Sequence, residues 1–343
     1  MGLAARRPHN GSPDTSTDSN GEGERNATFG DVITCYRLLL GRQPDADGLA
    51  HYRQRMTAGP LTLDELVSEF LGSVEFVRRQ AERPTGEGCT GETVQTCEGF
   101  QIRVDPADYA VGHTVARTGS YEPDVSATLR QLLRPGGTFV DIGANIGWFS
   151  LLAASVVGPG GRVIAVEPNP HNVALLERSA KENGFANIEV LAVAVADRTG
   201  AVALETDGSN GRVIPIDGAP PVPVPASFVV AAEPLDALLG PRGLDRLDLV
   251  KIDVEGAEPL VLRGGGETLS RHRPRLVSEF FPRALDSSPW GSAAGYLKSL
   301  RRLGYSLSVI GNSPPGTALD DESIMELACA AGRDQVDLLA MPL

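Results

Sequence analysis

The strongest constraint on the fold is a short apolar strand that ends in a glycine-rich turn and leads into a helix. Residues 139–147 read FVDIGANIG, which gives the pattern Asp-x-Gly-x-Asn-x-Gly from Asp141 to Gly147. In a doubly wound α/β sheet, a turn of this kind at the carboxyl end of a strand brings backbone N–H groups close to a ligand. The segment therefore predicts an α/β fold with a ligand site at this turn.

Strands and helices alternate through the rest of the chain, which supports this fold class. Apolar runs predict strands near Thr138–Ile142, Arg162–Glu167, Ile188–Val193, Leu247–Val254, Arg275–Phe280, Tyr305–Ile310 and Val336–Met341. Helical periodicity predicts helices near Val125–Leu133, Gly147–Val157, Pro170–Asn183, Glu258–Leu269 and Ser292–Leu303. This order predicts a seven-stranded, mostly parallel sheet with helices on both faces.

The composition changes along the chain and divides it into four parts. We predict a disordered tail at 1–27, a small helical domain at 28–82, a linker at 83–98 and the α/β domain at 99–343. The tail has almost no large apolar side chains, so it cannot offset the entropy lost on ordering. In the helical domain, two helix starts have the pattern of a capping box, Thr28 with Asp31 and Thr62 with Glu65.

The overall charge argues against one class of partner. The chain has 44 acidic and 31 basic residues, a formal net charge of −13, whereas binding to a phosphate backbone needs Lys and Arg in local excess. We therefore expect no nucleic-acid partner. The apolar stretches are shorter than the roughly 20 residues of a membrane span. The amino-terminal segment lacks the apolar core of a signal peptide, so we expect no membrane span and a cytoplasmic location.

The glycine-rich turn does not fit a dinucleotide. The dinucleotide fingerprint is Gly-x-Gly-x-x-Gly, but Asn145 stands in place of the second glycine and a single residue separates it from Gly147. Glu167 ends the next predicted strand, 26 residues after Asp141. A carboxylate at that place accepts hydrogen bonds from both hydroxyl groups of a nucleoside ribose. The alternative is a glycine turn that only caps a helix.

A second group of charged residues belongs to the strand predicted near 247–254. Period-two alternation places Leu249, Lys251 and Asp253 on one face of this strand. Helices should cover Lys251, and a buried charge is costly unless it is paired. We therefore predict that Lys251 pairs with Glu279 on the neighbouring strand.

Five segments together resemble the FkbM family of S-adenosylmethionine (SAM)-dependent methyltransferases. They read DIGANIG at 141–147, VEPNP at 166–170, KIDVEGAE at 251–258, RPRLVSE at 273–279 and, upstream, GSYE at 119–122. The resemblance runs from about residue 99 to the carboxyl terminus. It implies a Rossmann-like SAM-dependent methyltransferase fold and O-methylation in secondary-metabolite or glycan biosynthesis. It also places SAM on Asp141, Gly143, Asn145, Gly147, Glu167 and Asn169.

Transfer of a methyl group to a hydroxyl requires a general base or a metal, because an alcohol is a poor nucleophile until its proton leaves. Asp253 is the first candidate for the base and Glu255 the second. Three alternatives stay open: Glu255 and Glu258 as caps of the next helix, a magnesium ion held by Asp253, Glu279 and a neighbour, and His113 or His171 as the base. The carboxylates show no spacing signature of metal ligands, so we predict no metal.

Two functions from different classes fit these residues. The first is a SAM-dependent O-methyltransferase that acts on a small hydroxylated acceptor, such as a sugar, a glycan or a polyketide-type product. The second is an inactive SAM-binding adaptor that docks a partner enzyme through its helical domain. Residues 36–76 resemble a small helical module of unknown function found beside glycan-modifying enzymes, so residues 28–82 are where we expect a protein partner or a dimer contact. Acceptor specificity should lie in residues 100–122, 204–232 and 282–292.

Overall fold

The computed structural model describes residues 26–40, 42–71, 73, 75, 91–214, 227–312, 314, 316–330 and 334–343. The predicted disordered tail up to residue 25, and residues 83–90 of the predicted linker, lie outside the described residues. The strands are β1 (Glu92–Gln95), β2 (Gln101–Val104), β3 (Thr138–Ile142), β4 (Arg162–Val166), β5 (Ile188–Leu191), β6 (Ala194–Ala196), β7 (Gly200–Asp207), β8 (Asn210–Ile214), β9 (Ser227–Pro234), β10 (Leu249–Ile252), β11 (Arg275–Phe280), β12 (Tyr305–Val309) and β13 (Val336–Pro342).

The α-helices alternate with these strands over most of the chain. They are α1 (Phe29–Leu39), α2 (Ala46–Ala58), α3 (Leu63–Leu71), α4 (Gly112–Thr118), α5 (Pro123–Leu132), α6 (Trp148–Val157), α7 (Pro170–Glu182), α8 (Leu235–Leu239), α9 (Glu258–Gly264), α10 (Gly266–His272), α11 (Pro282–Ser287), α12 (Ala293–Arg302) and α13 (Asp321–Ala328). None of the helices in the described ranges is both long enough and apolar enough to cross a bilayer.

The first three helices form a small bundle, and both predicted capping boxes are present. The Thr28 side chain accepts from the Asp31 amide while the Asp31 carboxylate accepts from the Thr28 amide, and Thr62 and Glu65 exchange the same two bonds. The aromatic rings of the bundle pack edge to face or, for α2 against α3, stack with centroids 5.1 Å apart. The bundle core also includes Val229 of β9.

The large sheet has seven strands, as predicted. Its order is β12-β13-β11-β10-β3-β4-β5, and only β13 runs antiparallel to its neighbours. Along the chain, β3, β4 and β5 come first and lie side by side toward one edge of the sheet. β10 and β11 come later and lie on the other side of β3. The carboxyl ends of β3 and β10 therefore border a topological switch point, which is where ligands bind in open α/β sheets.

Both faces of this sheet are buried, so the predicted layer arrangement is confirmed. On one face, Val140 and Ile252 belong to a core that includes residues of α8, α9 and α12. On the other face, Phe139 and Leu249 belong to a core that includes residues of α5, α6 and α7. The alternation of side chains along β3 and β10 explains the two cores.

Two local predictions are wrong. Residues 92–95, predicted as linker, form β1, which pairs antiparallel with β2. The helix predicted over Glu258–Leu269 is broken into α9 and α10 at Gly265. A Cβ atom on Gly264 would lie 2.0 Å from the carbonyl oxygen of Ala196, so this run of glycines lets the helix approach β6 closely at the cost of continuity.

The structure also contains a second, four-stranded sheet that was not predicted. Its strands lie in the order β6-β9-β7-β8, and β7 and β8 form a hairpin. The tip of this hairpin is fixed by Asp108, whose Oδ1 accepts from the Ser209 amide at 3.0 Å. Oδ2 of Asp108 accepts from the amides of Val111 and Gly112. One buried carboxylate thus joins the start of α4 to the hairpin.

We predict that Asp108→Ala lowers the free energy of unfolding by about 2–3 kcal/mol, because it removes an ionised acceptor from several backbone N–H groups. Burial alone raises the pKa of Asp108, but the hydrogen bonds from Gly112 and Ser209 outweigh it and hold the pKa below its usual range. Urea denaturation measures the change. The exposed Asp245 gives the matched control, Asp245→Ala, which should change stability by less than about 0.5 kcal/mol. Equal stability of the two variants would contradict the role of Asp108.

Candidate functional site

A pocket opens at the switch point, over the carboxyl ends of β3 and β10. Its walls come from the turn after β3, the turn after β4, the segment after β10 and the β7–β8 hairpin. Of the predicted site residues, Gly143, Asn145, Glu167, Asp253 and Glu255 line this pocket, whereas Asp141, Gly147 and Asn169 lie behind its surface. The structure therefore brings one part of the predicted cofactor set together with both predicted catalytic residues.

The turn after β3 needs glycine at two positions for two different reasons. Gly143 has φ +81°, and a Cβ atom there would lie 1.8 Å from the carbonyl oxygen of Asp253. Gly147 has φ +96°, and its Cβ atom would lie 2.2 Å from Cδ1 of Leu176. The first glycine lets the turn approach the β10 segment, and the second lets α6 pack against α7. Gly147 thus shapes the turn from behind the pocket.

Asn145 adopts φ +51°, a left-handed conformation that asparagine tolerates better than most residues. Its Oδ1 accepts from the Ile146 amide at 2.7 Å, and its Nδ2 donates to Ser209 and Asn210 at 3.3 Å. The side chain therefore stabilises the turn and joins it to the tip of the β7–β8 hairpin. The hairpin lies over the predicted cofactor turn.

Glu167 is almost fully buried and is held by backbone amides. Its Oε2 accepts from the Asn145 amide and its Oε1 from the Asn169 amide, both at 2.8 Å. Burial raises the pKa of Glu167 to about 7, and these hydrogen bonds oppose the rise. Asn169 itself caps α7 by accepting from the His171 amide at 3.0 Å. Asn169 therefore orients Glu167, while the carboxylate is the group that reaches the pocket.

Asp141 is fully buried at the centre of the sheet. Its Oδ2 accepts from Ser150 Oγ at 2.6 Å, and its Oδ1 has no hydrogen-bond partner among the described residues. Asp141 aligns with Lys251 in the parallel pairing of β3 and β10. Burial raises the pKa of Asp141, and the charge of Lys251 opposes this rise.

Lys251 pairs with Asp253, so the predicted pair with Glu279 is wrong. Its Nζ lies 2.6 Å from Asp253 Oδ2 and 4.6 Å from the centre of the Phe149 ring. Residues two apart on a strand share a face, which places Asp253 closer than a side chain on the next strand. Burial alone lowers the pKa of Lys251, but the carboxylates of Asp253, Glu122 and Asp141 outweigh it and raise the pKa. The lysine is therefore charged.

Three carboxylates gather where β10 and β11 end. One oxygen from each of Asp253, Glu255 and Glu279 lies within 4.8 Å of the others. Glu255 has φ +53°, an uncommon conformation for a residue other than glycine. Burial, and then the charge of Asp253, raise the pKa of Glu255 to about 7. Gln335 donates to Glu279 Oε1 at 2.7 Å.

The structure distinguishes between the roles that the sequence left open for Glu255, Glu258 and the two histidines. Glu258 accepts from the amides of Val254 and Gly256 at 3.2 Å, so it stabilises the turn that precedes α9. No side chain caps α9 at its N-cap residue, Ala257, so the capping alternative for Glu255 is not observed. His113 and His171 both lie outside the pocket lining.

The segment before α5 contributes lining residues that were not among the predicted site residues. Tyr121 and Glu122 line the pocket from the segment before α5, and Glu122 has φ +39°. Burial raises the pKa of Glu122, and Lys251 opposes the rise. The GSYE segment at 119–122 was the available signal, but nothing in its pattern indicates that it folds over the end of β10.

Comparisons with known proteins agree with these observations. Residues 141–307 match the family model described as Methyltransferase FkbM domain, so the predicted resemblance is confirmed. Residues 15–80 match a model described as a domain of unknown function, DUF4214. The helical region is therefore a known module without an assigned activity.

Curated relatives match part of the chain. Protein-L-isoaspartate O-methyltransferase from Aeropyrum pernix is 32% identical over 132 residues, which make up 38% of this chain and 48% of that protein. The 2-O-methyltransferase NoeI from Sinorhizobium fredii is 26% identical over 156 residues, 41% of this chain and 63% of that protein. The chain therefore spans less than two thirds of the length of either relative.

A solved structure described as methyltransferase FkbM from Methylobacillus flagellatus is also similar. It is 16% identical, with a TM-score of 0.37, and the match covers 87% of this chain and 71% of that one.

We predict that Lys251→Met lowers the free energy of unfolding by about 3–5 kcal/mol, because it leaves buried carboxylates without their cation. Lys181 lies exposed on α7, so Lys181→Met is the matched control and should change stability by less than about 0.5 kcal/mol. Chemical denaturation of both variants measures the difference. A Lys251→Met variant as stable as the control would mean that the lysine does not hold these carboxylates together.

Proposed function

We propose that this chain, which matches the Methyltransferase FkbM domain model over residues 141–307, is a SAM-dependent methyltransferase that methylates a hydroxyl group of a small, uncharged acceptor. The observation that carries the proposal is one pocket that joins the turn after β3, Glu167, and the carboxylates at the end of β10. The turn and Glu167 suit a nucleoside with an amino-acid end. The carboxylates suit proton removal from an alcohol.

The residues present fit SAM at the nucleoside end of the pocket. Gly143, Ala144 and Asn145 line this end of the pocket. Their amides are bonded to Val166 and Glu167, so the turn shapes the pocket wall while Glu167 supplies the polar contact. Glu167 lines the pocket with a carboxylate that is already aligned by two amides, and it can accept hydrogen bonds from ribose hydroxyls. When bound, SAM supplies an electrophilic methyl group on a sulfonium centre.

We assign Glu255 as the general base that accepts the proton of the acceptor hydroxyl. Asp253, our first candidate from the sequence, is bound at 2.6 Å by the Lys251 ammonium, so its carboxylate is already engaged in an ion pair. Glu255 lines the same pocket next to it. Glu255 would accept the proton of the acceptor hydroxyl as its oxygen takes up the methyl group that bound SAM would supply. Asp253 then acts as a positioning residue.

The charge of the pocket supports a neutral acceptor. The carboxyl groups of the lining belong to Glu122, Glu167, Asp253, Glu255 and Glu279, and Lys251 is the single basic side chain of the lining among the described residues. An acceptor with a carboxylate or phosphate near its reacting oxygen would be repelled. Both curated relatives named above are O-methyltransferases by name, which supports an oxygen acceptor. A hydroxyl group of a sugar or a polyketide-type product is a neutral oxygen acceptor. A nucleic acid is not neutral, because its backbone carries phosphates.

We predict that Glu167→Gln weakens SAM binding by about 10- to 100-fold, because it replaces charge-assisted hydrogen bonds to ribose by neutral ones. The pKa of Glu167, raised to about 7 by burial, gives a second expectation. The ionised form is the better acceptor, so the affinity of the native chain for SAM should rise from about pH 6 to about pH 8. Titration calorimetry at both pH values measures this.

The exposed Glu177 of α7 supplies the control for this experiment. Glu177→Gln should keep both the affinity and its rise with pH, whereas Glu167→Gln should lose the rise. Equal affinity of the native chain and Glu167→Gln at about pH 8 would contradict the role assigned to Glu167.

We predict that Glu255→Gln lowers kcat for methyl transfer by about 100-fold or more and leaves the Kd for SAM unchanged, because the amide cannot accept the proton. Mass spectrometry of a panel of neutral and acidic sugars after incubation with SAM measures transfer, and neutral sugars should be preferred. Glu177→Gln again serves as the control. A variant with full kcat would contradict this assignment, and exclusive methylation of acidic acceptors would contradict the proposed acceptor class.

A further inference from the structure

We propose that Asp253, Glu255 and Glu279 bind a hard divalent cation, of the Mg²⁺ or Mn²⁺ type, inside the pocket. The proposal concerns binding of the ion itself and does not require that the chain transfers a methyl group. The effect of the ion on the acceptor, discussed below, rests on the proposed function.

The three carboxylates are close enough to share one ion. Asp253 and Glu255 follow β10, Glu279 belongs to the end of β11, and these two strands pair in parallel, so their carboxyl ends meet at one edge of the sheet. One oxygen from each residue lies within 4.8 Å of the other two. Three oxygens that all lie within 4.8 Å of one another share a centre at most about 2.8 Å from each, close to the metal–oxygen distances of hard cations. Three carboxylate oxygens are the donors that such cations prefer.

An unpartnered buried atom gives independent support. Glu279 lines the pocket, and its Oε1 accepts from Gln335 at 2.7 Å. Its Oε2 is buried, and no donor within the described ranges reaches it. Buried carboxylate oxygens are normally hydrogen bonded or bound to a metal. A cation between the three carboxylates would give this oxygen its missing partner.

The charge of the pocket also supports a cation site. Among the described residues, its lining has five carboxyl groups and a single ammonium, that of Lys251, which is already paired with Asp253. A divalent cation would offset the charge of carboxylates that the lysine does not pair.

Such an ion would also assist the proposed reaction. A hard cation lowers the pKa of a hydroxyl group that it binds. Because each carboxylate needs to give the ion only one oxygen, the second oxygen of Glu255 stays available for the proton of the acceptor.

Calorimetric titration of the full chain with MnCl₂, without SAM or acceptor, tests the proposal, and electron paramagnetic resonance of free Mn²⁺ checks the stoichiometry. We expect saturable binding of one ion per chain, competed by Mg²⁺. Glu279→Gln and Glu255→Gln should each raise the Kd for Mn²⁺ about tenfold or more. Glu177→Gln, which changes an exposed acid outside the pocket, should leave it unchanged. Thermal unfolding of each variant shows that the fold is retained.

Absence of saturable Mn²⁺ binding by the native chain would overturn the proposal, as would an unchanged Kd in both pocket variants. The outcome is separable from the proposed function. Mn²⁺ binding by a chain that methylates no acceptor would support the ion site and contradict the proposed function. Methyl transfer by a chain that binds no Mn²⁺ would support the function and overturn the ion site.

Discussion

The arrangement of the pocket depends on one buried ammonium group. Lys251 lies in the central strand next to β3, almost without exposure to solvent, with Asp253 at 2.6 Å and Asp141 beside it across the strand pair. A lysine in such a place is costly unless carboxylates surround it, and buried carboxylates are equally costly without a cation. The ammonium therefore offsets the cost of burying the carboxylates, and the carboxylates offset the cost of burying the ammonium. Together they hold acidic groups at the switch point of the sheet.

The topology then couples this acidic centre to the nucleoside end of the pocket. Because β3 and β10 are neighbours, the turn after β3 lies against the segment after β10, and at Gly143 the two backbones come too close for any Cβ atom. The β7–β8 hairpin covers the same turn through Asn145 and Ser209. Cofactor turn, acidic segment and hairpin thus form one packed unit, in which a change at any member moves the others.

Structural features that follow from the local sequence pattern were predicted correctly. Features that depend on contacts between residues distant in the sequence were missed. The strand-turn-helix at β3, the seven-stranded sheet and the capping boxes follow from periodicity and short spacings, and they are observed. The predicted partner of Lys251 was wrong because it passed over Asp253, which lies two residues further along the same face of the strand. Gly147 looked like a ligand-binding glycine, but it is required by contact with Leu176. The second sheet was missed because its two long strands, GAVALETD in β7 and SFVVAAEP in β9, lack a clear alternation of apolar and polar residues.

In the proposed reaction, one pocket holds the nucleoside on Glu167 and presents the transferable methyl to the carboxylates after β10. A crystal structure of the chain with S-adenosylhomocysteine would test this arrangement. Ribose hydroxyls are expected within hydrogen-bond distance of Glu167, with the thioether sulfur facing the side of the pocket formed by Asp253 and Glu255. A nucleoside bound away from Glu167, or a sulfur directed away from those two carboxylates, would contradict it.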